Sequence, residues 1–149
     1  MKKLAVGEAD TLYRIYTEDY GMIRALAQGV RKEEAKLRGH LELLSRSRIR
    51  FVVGRGGEKL IAASLVRFGE RLRSHETTLS LAAAVAGAVD AECFPGQRDD
   101  GVWHLLSEAF TALDREDFSE ERSADFLADF HSRLQERLGY GASGKEEIV

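Results

Sequence analysis

GMIRALAQGVRKEEAKLRG, residues 21–39, reads as a strand that hands the chain to a basic connection. Met22, Ile23, Arg24, Ala25, Leu26, Ala27 and Gln28 alternate loosely, as a strand half-laid on a core does. Arg31, Lys32, Lys36 and Arg38 then cluster around a polar connection, with Arg24 just upstream. Such a segment suits gripping a phosphate backbone. It contains no Cys, His, Ser or Thr, so it suits holding a metal or activating a nucleophile poorly.

Upstream, residues 7–17 carry Leu12, Tyr13, Ile15 and Tyr16 with Thr11 and Thr17, a β-branched and aromatic mix that favours a strand. Glu18-Asp19-Tyr20-Gly21 is a turn, so the two strands make a hairpin. Within residues 31–38, Glu33 to Leu37 fit one helical turn as well as a loop. Downstream, residues 40–53 read as one long strand. Arg46, Arg48 and Arg50 alternate there with Ser47, Ile49 and Phe51. The period of two puts the three arginines on one face, away from Ile49 and Phe51. Gly54-Arg55-Gly56-Gly57 is a tight turn, and residues 59–68 form the last strand. Several short strands joined by glycine turns predict a small β barrel over residues 1–72.

After Gly69 the period changes to helical. Ser74 is placed to cap a helix over residues 75–93, with Leu79, Leu81, Ala82, Val85, Ala86, Val89 and Cys93 at helical spacing. Phe94-Pro95-Gly96 stops it. Asp99 or Asp100 caps a second helix containing Val102, Trp103, Leu105, Leu106, Ala109, Phe110 and Leu113. Ser119 caps a third, with the stripe Phe126, Leu127, Phe130, Leu134 and Leu138, and Gly139 fits the position just past its end. The expected class is therefore α+β: a barrel, then a three-helix domain over residues 73–140, then a flexible tail over residues 141–149.

The net charge of −3 conceals an asymmetry. Residues 1–73 hold 16 Lys+Arg against 9 Asp+Glu, net +7, and residues 74–149 hold 6 against 16, net −10. A basic half attracts polyanions and an acidic half repels them; the plainer reading is that both halves are solvated and cancel across a shared interface. The single cysteine, Cys93, excludes an intrachain disulfide and a cysteine-built zinc site, and its place on an apolar run suits a buried thiol. No apolar run reaches the roughly 18 residues of a membrane span. Gly7-Glu8-Ala9-Asp10 breaks any leader that residues 1–3 begin, which makes the cytoplasm the expected location.

Each candidate site has a plainer reading beside it. The row Arg46, Arg48 and Arg50 can line a nucleic-acid groove or simply solvate a strand. Glu33 and Glu34 dilute the cluster at 31–38. Tyr13, Tyr16 and Phe51 can stack bases or fill the barrel. The glycine turn at 54–57 lacks the Lys-Ser/Thr of a phosphate-binding loop. His40, His75, His104 and His131 are scattered and have no ligand spacing. Glu108, Asp114, Asp125 and Asp129 can include an acid/base pair or form the wet side of the helices. Trp103, Phe110, Phe126 and Phe130 can be core or part of a groove for a partner's peptide.

Gly7-Glu8-Ala9-Asp10, Gly21, Arg24, Ala27-x-Gly29-x-Arg31 and Leu37-Arg38-Gly39 together resemble the N-terminal part of the bacterial RecO family of recombination mediators. The stretch with Phe126, Phe130, Leu134, Leu138, Gly139 and Tyr140 is similar to that family's last helix. The resemblance implies an OB-fold barrel that binds single- and double-stranded DNA without sequence specificity, followed by a helical domain. It also implies strand annealing and, with RecR, replacement of single-strand-binding protein by RecA. Carried over, the DNA-contacting candidates are Arg24, Arg31, Lys32, Lys36 and Arg38; Arg46, Arg48 and Arg50 are added from strand geometry. Two departures stand out. Only residues 1–6 precede the Gly-Glu-Ala-Asp motif, so the first strand is expected to be short or missing. The Cys-rich segment that follows the last helix in many members is expected to be absent, and with it any partner binding that depends on it. The expected protein is a non-enzymatic, cofactor-free DNA binder at the nucleoid. The alternative is an adaptor that docks single-strand-binding protein or RecR with little DNA binding of its own.

Overall fold

The computed structural model of the chain describes residues 2–6, 10–27 and 42–139. The elements run β1 (Lys2–Val6), β2 (Asp10–Thr17), β3 (Gly21–Ala27), β4 (Arg46–Gly54), β5 (Gly57–Arg67), α1 (Glu70–Ser74), α2 (Glu76–Glu92), α3 (Asp100–Arg115) and α4 (Glu120–Arg137). The class is α+β, a five-stranded sheet followed by helices. The strands lie in the order β1-β2-β3-β5-β4. All neighbours are antiparallel except β3 and β5, which run parallel through Ala25↔Glu58 and Leu26↔Lys59.

The hairpin β2–β3 forms where the sequence places it. Gly21 takes φ 66°, a conformation that costs a residue with a Cβ. The Thr17 hydroxyl donates to the Gly21 carbonyl at 2.8 Å and accepts from the Tyr20 amide at 3.0 Å, which closes the turn. The first strand is short but present: β1 pairs with β2 from Lys2↔Arg14 to Val6↔Asp10.

The expected strand over residues 40–53 is shorter in the structure. Leu43 and Leu44 form a turn, Leu44 has φ 61°, and β4 begins only at Arg46. Packing overrides the local preference here: Leu44 lies against the cluster of Leu72, Leu81, Ala82 and Leu113, and the Arg73 guanidinium donates to the Leu43 carbonyl. A further short helix, α1, precedes the expected ones. Ser74 is its last residue rather than a cap, and His75 occupies the N-cap of α2 without a side-chain bond. The other two caps form as the sequence indicates. Asp99 accepts from the Gly101 and Val102 amides, and Ser119 accepts from Arg122. Gly139 follows the Leu138 C-cap with φ 83°.

Sheet and helices share a core. Tyr13, Ile23, Ala25, Ala27 and Leu60 fill the inner face of the sheet. Tyr16 and Met22, a cross-strand pair on the opposite face, are buried instead among Val85, Val89, Cys93, Val102, Leu105, Phe130 and Leu134 of the helices. The helices thus cover one end of the outer face of β2–β3 and leave the rest of that face open.

Candidate nucleic-acid interface

Cross-strand partners share a face of the sheet, so the register alone defines which side chains stand together. Leu12↔Leu26, Arg14↔Arg24 and Tyr16↔Met22 put one set of β2–β3 residues on the outer face. Leu26↔Lys59 carries that face across to β5. Val52↔Lys59, Arg50↔Ala62 and Arg48↔Ser64 carry it on to β4. Arg24, Arg48, Arg50 and Lys59 are all exposed there. Arg14 stands on the same face but is tied down: its Nε lies 3.1 Å from Asp90 Oδ1 of α2. Asp90 thus brings a carboxylate to this face.

The predicted row of three arginines is therefore two plus one. Arg48 and Arg50 remain on the open face. Register shifts between Arg46 and Ser47 and between Arg50 and Phe51, where β5 carries the extra residues Val66 and Ile61, bracket the row. Arg46 turns toward the helices, with its guanidinium carbon 5.1 Å from the centroid of the Trp103 ring. Arg31, Lys32, Lys36 and Arg38 lie outside the described residues. Lys59 was not singled out in the sequence; the signal was its place on the strand beside Arg24, which needs the parallel β3–β5 pairing to be seen.

Tyr13 and Tyr16 are 5% and 6% exposed and fill the interior rather than offering stacking platforms. Phe51 is half-buried and meets the exposed Tyr20 edge to face at 5.2 Å. The Tyr16 hydroxyl donates to the Asp99 carbonyl at 3.2 Å. Burial, then the neighbouring Cys93 and Asp99, push its pKa well above the ordinary tyrosine value. Cys93 is buried, and its thiol is pushed up to about 11 by that burial and by Asp99 and Glu92.

Three of the four candidate acid/base carboxylates are engaged, all but Asp125. Glu108 pairs with Arg133 at 3.2 Å, and Asp129 approaches the same guanidinium at 3.8 Å. Asp114 accepts from the Leu72 amide at 3.0 Å and lies 3.9 Å from Arg67. His75, His104 and His131 are exposed on separate segments, and His40 lies outside the described residues. Among the described residues no group of three or more His, Cys, Asp and Glu is placed to hold a metal, and no helix is long and apolar enough to cross a membrane.

Comparison with known proteins adds to this geometry. Residues 1–68, the stretch that forms the sheet, match the family described as Recombination protein O N terminal. The DNA repair protein RecO of Rubrobacter xylanophilus is 29% identical over 140 residues, 94% of this chain and 55% of the relative. That of Trichodesmium erythraeum is 29% identical over 115 residues, 77% of this chain and 40% of the relative. That of Gloeothece citriformis is 43% identical over 63 residues, 42% of this chain and 22% of the relative. The chain thus spans about half or less of the length of these curated relatives. The chain is thus RecO-like: its similarity to proteins named DNA repair protein RecO starts in the sheet and runs on through the helices.

Proposed function

We propose that the chain is a non-enzymatic, cofactor-free DNA-binding module of a recombination mediator, and that the open outer face of the sheet is its working surface. One observation carries this: Arg24, Lys59, Arg50 and Arg48 stand on one face of three adjacent strands, and the carboxylate brought to that face, Asp90, is engaged by Arg14. Forked guanidinium groups suit phosphate, and release of counterions supplies the affinity. Contacts of arginine and lysine with phosphate carry no base information, so binding is independent of sequence. Arg31, Lys32, Lys36 and Arg38 follow β3 directly in the chain and extend the basic run.

In this reading the sheet is the wall of an OB-fold-like barrel. β1 and β4 are the two ends of the strand order, and bringing them together closes it. Shielding two like-charged strands on one basic surface promotes their annealing. RecA loading with RecR on single-strand-binding protein is the reaction this annealing surface would serve, inside the cell at the nucleoid. Fluorescence anisotropy of the purified chain with an unrelated single strand across a salt series tests the reading. Affinity falls with salt at a slope of about −0.7 per phosphate contact. Absence of binding at low salt overturns it.

A second reading has its own observation. Val52, Val53, Ile61 and Val66 of β4 and β5 are 46%, 75%, 49% and 58% exposed. Exposed apolar side chains on the last two strands suit a protein partner, so an adaptor that docks RecR or single-strand-binding protein is the alternative. Capture of either partner by a chain that fails to bind DNA favours it.

A further inference from the structure

A cavity of about 160 Å³ opens between the sheet and α3, at the N-terminal end of β4. Its walls are Tyr13 and Ile15 of β2 and, from one stripe of α3, Trp103, Leu106 and Phe110. Arg46 stands in the same lining, over the Trp103 ring. We propose that this cavity receives one unstacked pyrimidine base of a single strand held along the arginines of β4. The proposal rests on the DNA-binding reading above and names a second, base-holding site within it.

Three features carry the proposal. The first is size: an apolar cavity of about 150 Å³ accommodates a benzene ring, so this one holds a single six-membered ring and is too small for an ordinary ligand of several rings. The second is chemistry. Trp103 and Phe110 are partly exposed and offer aromatic surface, as base stacking requires, while Tyr13 is buried and only backs the cavity. Ser107 and Thr111, one helical turn apart on α3, add hydroxyl groups able to meet the polar edge of a base. The third is position. Arg46 is the link between the open basic face and the cavity. It continues the chain of Arg48 and Arg50 along β4, and its guanidinium reaches the Trp103 ring in the cavity lining. A phosphate on Arg46 leaves its own base within reach of Trp103. Two acids stand in the lining: Asp114 is occupied by the Leu72 amide and by Arg67, while Glu42 is exposed near Tyr13, so a phosphate is held on the Arg46 side of the mouth.

The test compares a thymidine homopolymer with a strand of equal length in which every base is replaced by an abasic sugar. Both carry the same phosphates. The abasic strand is expected to bind about tenfold more weakly, the weight of stacking a base on an aromatic side chain. Trp103, the chain's single tryptophan, reports occupancy through its fluorescence, which changes with the thymidine strand alone. Ser107→Leu, which fills the cavity, removes the preference and leaves the salt slope intact. Equal affinity for the two strands with unchanged tryptophan emission overturns the base site while leaving the basic face standing. Failure of both strands to bind overturns the site and the DNA-binding reading together.

Discussion

Arg14 of β2 and Asp90 of α2 form an ion pair between the sheet and the helices, with Nε 3.1 Å from Oδ1 and an Nη2 hydrogen bond to the Asp90 carbonyl at 3.2 Å. Both side chains are largely covered, at 27% and 19% exposure. The pair also removes Arg14 from the basic face, on which it is the cross-strand partner of Arg24. Removing one member leaves the other partly desolvated and uncompensated, which costs more than an exposed pair is worth. Asp90→Ala is expected to lower unfolding stability by about 1–3 kcal/mol, read from urea titrations. A double-mutant cycle with Arg14→Met should return a coupling energy well above experimental error. Additive losses would mean that the two groups do not interact.

Gly21 does more than turn the hairpin. Its backbone bridges to Pro95, and a Cβ built on it would stand 2.1 Å from the Gln97 carbonyl oxygen, far inside contact distance. Two penalties combine in Gly21→Ala: the left-handed conformation and a backbone collision that no rotamer relieves. The expected loss is about 3 kcal/mol or more. Gly57→Ala is the control. It also has a positive φ, but a Cβ there meets open space, so only strain of about 1 kcal/mol remains. Equal losses at the two positions would show that the loop at 95–98 does not press on the hairpin.

Much of this was legible in the sequence because it is local. Asp99 and Ser119 announce their helices, Pro95 ends one, and alternation finds β2 and β3. The features that escaped depend on distant partners. Nothing local tells Leu44 to take a positive φ; its packing on Leu72 and Leu113 does. α1, only Glu70–Ser74, is too short to show a period. Arg46 belongs with Arg48 and Arg50 by alternation, and only its contact with Trp103, distant in the chain, separates them. Lys59 joins Arg24 only because β5 lies parallel to β3, a pairing that skips β4 in the chain. The site is thus readable as composition and unreadable as arrangement.

The buried interior makes the protein sensitive to alkali. Cys93 is raised from 9.0 to about 11, chiefly by burial. Tyr16 and Tyr13 are also raised above 10.0, again mainly by burial. Each group is protonated more firmly in the folded state than in the unfolded chain. The Cys93 contribution is complete below pH 9 and is lost as the pH rises through about 11; that of the tyrosines is complete below pH 10 and is lost only at more alkaline pH. Urea midpoints should therefore be flat with respect to these groups at neutral pH and fall above pH 9. The fall should be smaller in Cys93→Ala than in the parent. The same burial keeps the thiol from a disulfide reagent at pH 8 until the protein unfolds. Prompt labelling of the native protein would contradict the buried placement.

Arg48 and Arg50 are separable from Arg46 by experiment, because they stand on the open face and it stands over Trp103. Arg48→Glu with Arg50→Glu should leave the thermal midpoint nearly unchanged, since both side chains are exposed and no described acid pairs with them. The same change should weaken single-strand binding by more than tenfold at low salt. Its salt slope should drop by about 1.4, the share of two phosphate contacts. Arg46→Glu should act differently. It loses the contact with the indole ring and sets a carboxylate against it, so stability falls together with affinity, and tryptophan emission shifts even without DNA. If the double reversal leaves affinity and slope intact, phosphate is held elsewhere on the chain. The basic run at Arg31, Lys32, Lys36 and Arg38 would then be the next surface to reverse.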